Sequence, residues 1–208
     1  MRLFFKKFKN FSLIHNFLIR LIFLFVLLCN SIHVCGENFF LQVFNMDDGI
    51  PHFSIRSIYQ DQYGFIWMGS GNGLTRYDGY RYINYNINLP EPNRISGSVI
   101  RDITEDTINN YIYISSDVGV SRIDQKTLKV DQAFSKWAND NIPQGYIHVI
   151  RIINHNVYFS DRQLLYTFPL IGSKLPKDGF ELHQFPLKEV RWFSDYGDSS
   201  ILIVKEDE

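Results

Sequence analysis

The sequence predicts an all-β fold: an incomplete β-propeller of four-stranded antiparallel blades, about three to four repeats, following an N-terminal export segment. Three observations predict it. The chain resembles itself when shifted by 45 residues (Ile55 onto Ile100), or by 46 after one insertion (Ile66 onto Ile112). Short apolar runs alternate with turns rich in Gly, Asn and Asp. Aromatic residues make up 16 % of the 208 positions, mostly Phe and Tyr, which favour strands over helical bundles. Four short strands in about 45 residues form the unit of a propeller blade.

Residues 1–36 stand apart from that pattern. Lys6, Lys7, Lys9 and Arg20 precede an unbroken apolar run from Leu21 to Cys29, and polar residues begin at Asn30. A charged region followed by a short apolar one is the form of an export signal. Nine residues of helix span roughly 14 Å, against a hydrocarbon core of about 30 Å. Cleavage between Gly36 and Glu37 is the expectation, with an uncleaved N-terminal anchor as its alternative. Cys35 is preceded by His33 and Val34, where a lipidation signal places small residues. The two cysteines, Cys29 and Cys35, both precede that cleavage point. The mature chain then has no disulfide, and its stability must come from its core.

Residues 37–208 form the propeller region, with repeats near 50–94, 95–141 and 142–188 and an incomplete one over 189–208. The first two copies are "IRSIYQDQYGFIWMGSGNGLTRYD" (Ile55–Asp78) and "IRDITEDTINNYIYISSDVGVSRID" (Ile100–Asp124). Identities include Arg56/Arg101, Asp61/Asp106, Ser70/Ser116, Gly73/Gly119, Arg76/Arg122 and Asp78/Asp124. A third copy starts at "IHVI" (Ile147–Ile150) and a fourth, fainter, at "VRWF" (Val190–Phe193). Within the first copy, Ile55–Gln60 reads as a strand and Asp61–Gly64 as a turn in which Gly64 takes positive φ. Phe65–Met68 reads as an interior strand, apolar at four successive positions. Thr75–Tyr77 and Tyr80–Tyr85 complete the blade around the turn Asp78-Gly79. No helical period is apparent after residue 37. "FLQVFN" (Phe40–Asn45) occupies the place that "RYINYN" holds before the second copy, and so reads as the outer strand of another blade.

The glycines of "GSGNG" turn the chain; they do not cradle a phosphate. Gly69, Gly71 and Gly73 fall as G-x-G-x-G, with Leu74 in the place of the last glycine of a dinucleotide fingerprint, and strands follow where that fingerprint needs a helix. A net charge of -1 gives no electrostatic footprint for nucleic acid. The histidines at 15, 33, 52, 148, 155 and 183 show no metal-ligand spacing, and His155 between two asparagines reads as a turn. Asp47-Asp48-Gly49, and Asp195 and Asp198 around Gly197, also read as turns, without the alternating oxygen ligands of a calcium loop. No nucleophile elbow and no distinguishable catalytic carboxylate pair occurs. Trp67 reads as core. Trp137, in "FSKWANDN", is the candidate exposed aromatic that could stack on a sugar ring.

The stretch "QDQYGFIWMGSGNGLTRYDG" resembles the two-component regulator propeller repeat, whose pattern runs roughly Q-D-x-x-G-x-I-W-x-G-T-x-x-G-L-x-R-Y-D-G. Gln60, Asp61, Gly64, Ile66, Trp67, Gly69, Gly73, Leu74, Arg76, Tyr77, Asp78 and Gly79 match, and Ser70 stands for the usual Thr. The second copy carries Asn110 for the turn glycine, Tyr113 for Trp and Ser115 for Gly. The third loses the turn aspartate at Ile153, and "DRQLLYTF" replaces its glycine loop. The resemblance implies the front end of a periplasmic sensor region. Its expected ligand is a small glycan breakdown product, bound by propeller surfaces in a self-associated or homodimeric parent. That parent would carry further sensor parts, a histidine kinase and often a DNA-binding output beyond this chain. It implies no cofactor, no catalysis by this chain and no direct nucleic-acid contact. The rival reading is a fragment of a secreted propeller enzyme, such as a polysaccharide lyase or quinone-dependent dehydrogenase.

Overall fold

The structure is a computed structural model that describes residues 15–25, 43, 49–50, 52, 54–142, 145–161, 163–170, 183–185, 190–195 and 201–205. Two compact units divide between Val43 and Phe44. In the first, residues 15–25 form a helix, α1. Among the described residues no helix is long and apolar enough to cross a membrane. The expected cleavage point Gly36–Glu37, the two cysteines, Asp47-Asp48, and Gly197 with Asp198 lie outside the described residues. So does the expected outer strand Phe40–Asn45, apart from Val43.

The second unit contains three four-stranded antiparallel sheets and a two-stranded one, each in sequence order. Blade 1 is β1 (Ile55–Gln60), β2 (Ile66–Ser70), β3 (Gly73–Tyr77) and β4 (Tyr82–Tyr85). Blade 2 is β5 (Ile100–Asp106), β6 (Tyr111–Ser116), β7 (Val120–Asp124) and β8 (Lys129–Val130). Blade 3 is β9 (Val149–Ile153), β10 (Asn156–Ser160), β11 (Leu165–Pro169) and β12 (His183–Phe185), and blade 4 is β13 (Val190–Asp195) with β14 (Ile201–Lys205). The first strands meet in succession, β1 with β5, β5 with β9, and β9 with β13. The blades therefore form an arc with their first strands innermost.

Two strand limits differ from the sequence reading, and side-chain caps explain both. Phe65 closes the turn instead of opening β2, because its N–H donates to Asp61 Oδ1 and its carbonyl accepts from Asp61 N. Tyr80 and Arg81 belong to the next turn, where both N–H groups donate to Asp78 Oδ1. These two bonds hold the exposed Asp78 carboxyl below its usual range.

The larger correction is a helix, α2 (Gln132–Asn141), where no helical period was expected. Asp131 caps it by accepting from Phe134 N at 2.9 Å. Phe134 and Ala138, four residues apart, are fully buried and give the helix its inner face. The outer strand of blade 2 is only two residues long, and the chain passes from it directly into this helix.

Pairing register aligns the repeats more finely than sequence identity does. Leu74, Val120 and Leu165 occupy one position, opposite Gly69, Ser115 and Ser160. Trp67, Tyr113 and Tyr158 then occupy another. Each aromatic lies in the seam toward the next blade, together with Ile103, Ile150 and Phe193 respectively. The aliphatic or aromatic knob of each innermost strand thus enters a socket on the blade before it. Ile58 is the blade 1 knob, and it is 69 % exposed while its three counterparts are at most 4 % exposed.

Candidate functional site

Most of the motif residues hold blades together. Asp61 is buried and accepts from Tyr63 N and Phe65 N on Oδ1, and from Trp67 Nε1 at 2.8 Å on Oδ2. Blade 2 adds to this junction. Gln125 Nε2 donates to Glu105 at 2.8 Å and to Asp61 Oδ2 at 3.4 Å, and Glu105 also accepts from Gln62 N and the Tyr59 hydroxyl. Burial and the neighbouring Glu105 push the Tyr59 phenol up to about 12. Asp106, the blade 2 counterpart of Asp61, caps its own turn by accepting from Ile108 N and Asn109 N.

Arg76 lies opposite Trp67, and Arg122 opposite Tyr113. Both guanidinium groups are buried on aromatic faces, Arg76 at 3.6 Å from the Phe65 ring centre and Arg122 between Tyr111 and Phe134. Arg122 also pairs with Asp131 at 2.7 Å and donates to the Tyr113 hydroxyl. Thr167 takes this position in blade 3, so no third arginine is stacked there.

The other matched positions are geometric. Ile66 opens β2, and Leu74 is fully buried. A side chain at Gly69 would lie 2.6 Å from Ile100, which shows how closely blade 2 approaches. Gly73 has φ +109, and a Cβ there would stand 2.2 Å from the Tyr85 carbonyl. Tyr77 stacks on Tyr82 and donates to the carbonyl of Gly79, a glycine with φ +98. Gly64 has φ +85, and its counterpart Asn110 has φ +62, so asparagine supplies the left-handed turn in blade 2. His155, with φ +62, lies in the turn between β9 and β10.

Trp137 is half-buried, not exposed as its polar neighbours suggested. It lies on α2 and packs against Phe134 and Phe168, with both ring-centre distances 5.5 Å. The helical period turns it onto the core of blades 2 and 3.

What remains as a candidate site is the end of the arc where the innermost strands begin. At that end β1 has Ile55 opposite Ser70 and Ser57 opposite Gly69, leaving Arg56 as an extra, bulged residue. The same irregularity isolates Arg101 in β5 and Arg191 in β13. His148 occupies the corresponding place just before β9, with its N–H donating to the Ser160 carbonyl. Bulges re-aim side chains and recur beside functional sites. The Arg101 guanidinium lies over the Tyr146 ring at 5.1 Å, and that ring stacks with His148 at 6.4 Å. The turn loops of this end cap themselves. The Ser116 hydroxyl accepts from Val118 N and Gly119 N, and Asp161 Oδ1 accepts from Gln163 N and Leu164 N. Sequence reading noted the Arg56/Arg101 identity without assigning it a role; the missed signal is the second residue of I-x-x-I-type starts in four copies. Among the described residues, no group of three His, Cys, Asp or Glu side chains could hold a metal ion.

The class defined by this architecture is a propeller of four-stranded blades, the first of which carries Asp61, Gly64, Trp67 and Arg76 at its turn and seam. Residues 50–72 match the family described as two component regulator propeller. Its fold resembles the extracellular domain of a putative hybrid two component system of B. thetaiotaomicron. That match has a TM-score of 0.61 and 17 % identity, covering 78 % of this chain and 23 % of the other. A second extracellular domain from the same organism matches with a TM-score of 0.56 and 19 % identity, covering 73 % of this chain and 19 % of the other. A histidine kinase of Formosa agariphila is 32 % identical over 75 residues, which is 36 % of this chain and 6 % of that protein. The chain thus spans less than a quarter of each of these relatives.

Proposed function

We propose that this chain is the ligand-sensing propeller segment of an exported two-component sensor, working at the periplasmic face of the inner membrane and responding to glycan breakdown products. The observation that carries the reading is the regulator propeller repeat at residues 50–72, set in blades like those of extracellular two-component domains. The apolar run Leu21–Cys29 behind a basic segment supports export. A dimeric parent with a kinase inside the cell would convert binding into output. Binding here would be a population shift between two arrangements of the blades, so the ligand must favour one of them.

Thermal melting of the purified chain against a panel of neutral and acidic oligosaccharides tests this. One class should raise Tm in a concentration-dependent way, with no turnover of the same compounds. A flat response across the panel removes the glycan reading. Turnover that survives repurification puts the enzyme reading in its place.

A further inference from the structure

We infer that Arg76 forms a binding position for a carboxylate group, so that blade 1 takes a small carboxylic acid as ligand. The inference goes beyond the sensor reading by naming a ligand chemistry and a contact residue, and it holds whatever signal follows binding. Arg76 and Arg122 occupy one register position, opposite Trp67 and Tyr113. Blade 2 supplies its arginine with acceptors. Arg122 Nε and Nη2 donate to Asp131 Oδ2 at 3.0 and 2.7 Å, and Nη1 donates to the Tyr113 hydroxyl at 3.2 Å. Blade 1 replaces both acceptors with groups that accept nothing. Asp131 follows Val130 and its N–H donates to the Arg122 carbonyl, which sets it opposite Arg122; the residue opposite Arg76 is Ile83. Trp67 stands in the place of Tyr113, and an indole offers only a donor, here given to Asp61 at 2.8 Å.

The Arg76 guanidinium is withdrawn from water all the same. The residue is 5 % exposed, and its Nε is buried with no hydrogen-bond partner. Among the described residues the ion pairs are Arg122–Asp131 and Arg151–Asp102, and neither involves Arg76. The guanidinium carbon lies 3.6 Å from the centre of the Phe65 ring. Stacking of that kind occupies the face of the cation and leaves its in-plane N–H donors without acceptors. The carboxylates of blade 1 are engaged by their own turns. Asp61 accepts from Tyr63 N, Phe65 N and Trp67 Nε1, and Asp78 accepts from Tyr80 N and Arg81 N. Phe65 and Ile83, on either side of the guanidinium, are both half-buried, so the position lies just beneath the surface. A guanidinium meets a carboxylate through charge-assisted hydrogen bonds in its own plane. Asp131 makes two such bonds in blade 2, to an arginine that is likewise stacked on aromatic rings.

The test is a nuclear magnetic resonance titration of the full chain at constant ionic strength, read at the arginine Nε–H resonances. Acetate supplies the carboxylate alone, glucuronate supplies it on a sugar ring, and glucose is the neutral control. The Arg76 resonance, assigned through its own backbone, should move with glucuronate and stay still with glucose. A shift with acetate as well assigns recognition to the carboxylate alone; a shift with glucuronate only assigns it to an acidic sugar. Ile83→Asp and Ile83→Asn remove the same side chain, and only the first sets a carboxylate opposite Arg76. Ile83→Asp should therefore weaken glucuronate by about tenfold or more relative to Ile83→Asn, the worth of one charge-assisted hydrogen bond. An Arg76 resonance that neither anion moves overturns the site, whether or not the Ile83 variants fold. Equal affinity of the two variants, or a shift with glucose equal to that with glucuronate, also overturns it. A neutral oligosaccharide that raises Tm while neither anion moves the resonance overturns the site and keeps the sensor reading.

Discussion

The indole N–H of Trp67 donates to the Asp61 carboxylate at 2.8 Å, with both side chains buried. The aspartate of the repeat thus fixes the tryptophan six residues on, and the tryptophan fills the seam toward blade 2. One bond links the turn to the inter-blade core. Asp61→Ala removes the acceptor for two backbone N–H groups and the indole, and should destabilise the chain by about 2–4 kcal/mol in urea unfolding. Asp61→Asn, which keeps one acceptor oxygen, should lose less. Equal stability of Asp61→Ala and the parent would show that this junction contributes nothing.

Gly64 and Gly73 separate two costs that glycine replacement can carry. At Gly64 the nearest atom to an added Cβ is Gln60 Nε2 at 3.9 Å, so space is available and only the φ of +85 opposes a side chain. Gly64→Val should cost about 1–2 kcal/mol, and Gly64→Asn less, since asparagine already holds that turn at position 110. Gly73→Ala meets the Tyr85 carbonyl as well. It should cost clearly more than Gly64→Val in the same denaturant series; the reverse order would refute the geometry.

Asp131 serves two partners, capping α2 through Oδ1 and pairing with the buried Arg122 through Oδ2. Asp131→Ala leaves the Arg122 charge buried without its carboxylate and should cost about 3–5 kcal/mol. Asp131→Asn keeps a capping oxygen, so the difference between the two variants isolates the helix cap, about 1 kcal/mol. Trp137→Ala should lower stability by about 3 kcal/mol and leave ligand affinity unchanged. Lost affinity at unchanged stability would restore Trp137 as a contact residue.

Alkaline titration should distinguish the seam tyrosines from the rest. Burial pushes Tyr85 and Tyr113 up to about 12, and burial with Glu105 does the same for Tyr59. Their folded values exceed the unfolded value of about 10, so the unfolded chain releases these protons first. The stability involved is fully present below about pH 10 and is lost as pH rises toward 12. Phenolate absorbance should therefore show a late fraction whose appearance coincides with unfolding. Ionisation of every tyrosine near pH 10, with the fold intact, would contradict this.

The fold was legible wherever spacing alone decides it. The I-x-x-I starts, the Asp–Gly turns and the apolar second strands locate three blades because each copy repeats the same hydrogen-bonding problem at a fixed interval. Residue identity alone does not find one equivalence: Ser160 pairs as Ser115 does, and Asp161 performs the capping that Ser116 performs in blade 2. A carboxylate and a hydroxyl are interchangeable as acceptors, which identity matching does not detect. The helix α2 was hidden by its polar letters. Phe134, Trp137 and Ala138 are too few to show a period unless Asp131 is recognised as its cap. Arg56 and Arg101 were visible letter by letter, but their shared place at a bulge is seen only in the pairing register.

The exposed Ile58 gives the arc a polarity. Each later blade inserts its knob into the socket of its predecessor, so the two faces of a blade are complementary to each other and not to themselves. A second molecule meeting this edge with its own blade 1 edge would bring Ile58 against another Ile58, knob to knob. Burial of this edge in the manner of the other seams is a head-to-tail contact, in which the covering surface presents an aromatic and an aliphatic residue spaced as Trp67 and Leu74 are. A surface that covered the edge in that way would carry the rotation from blade to blade one step beyond β1.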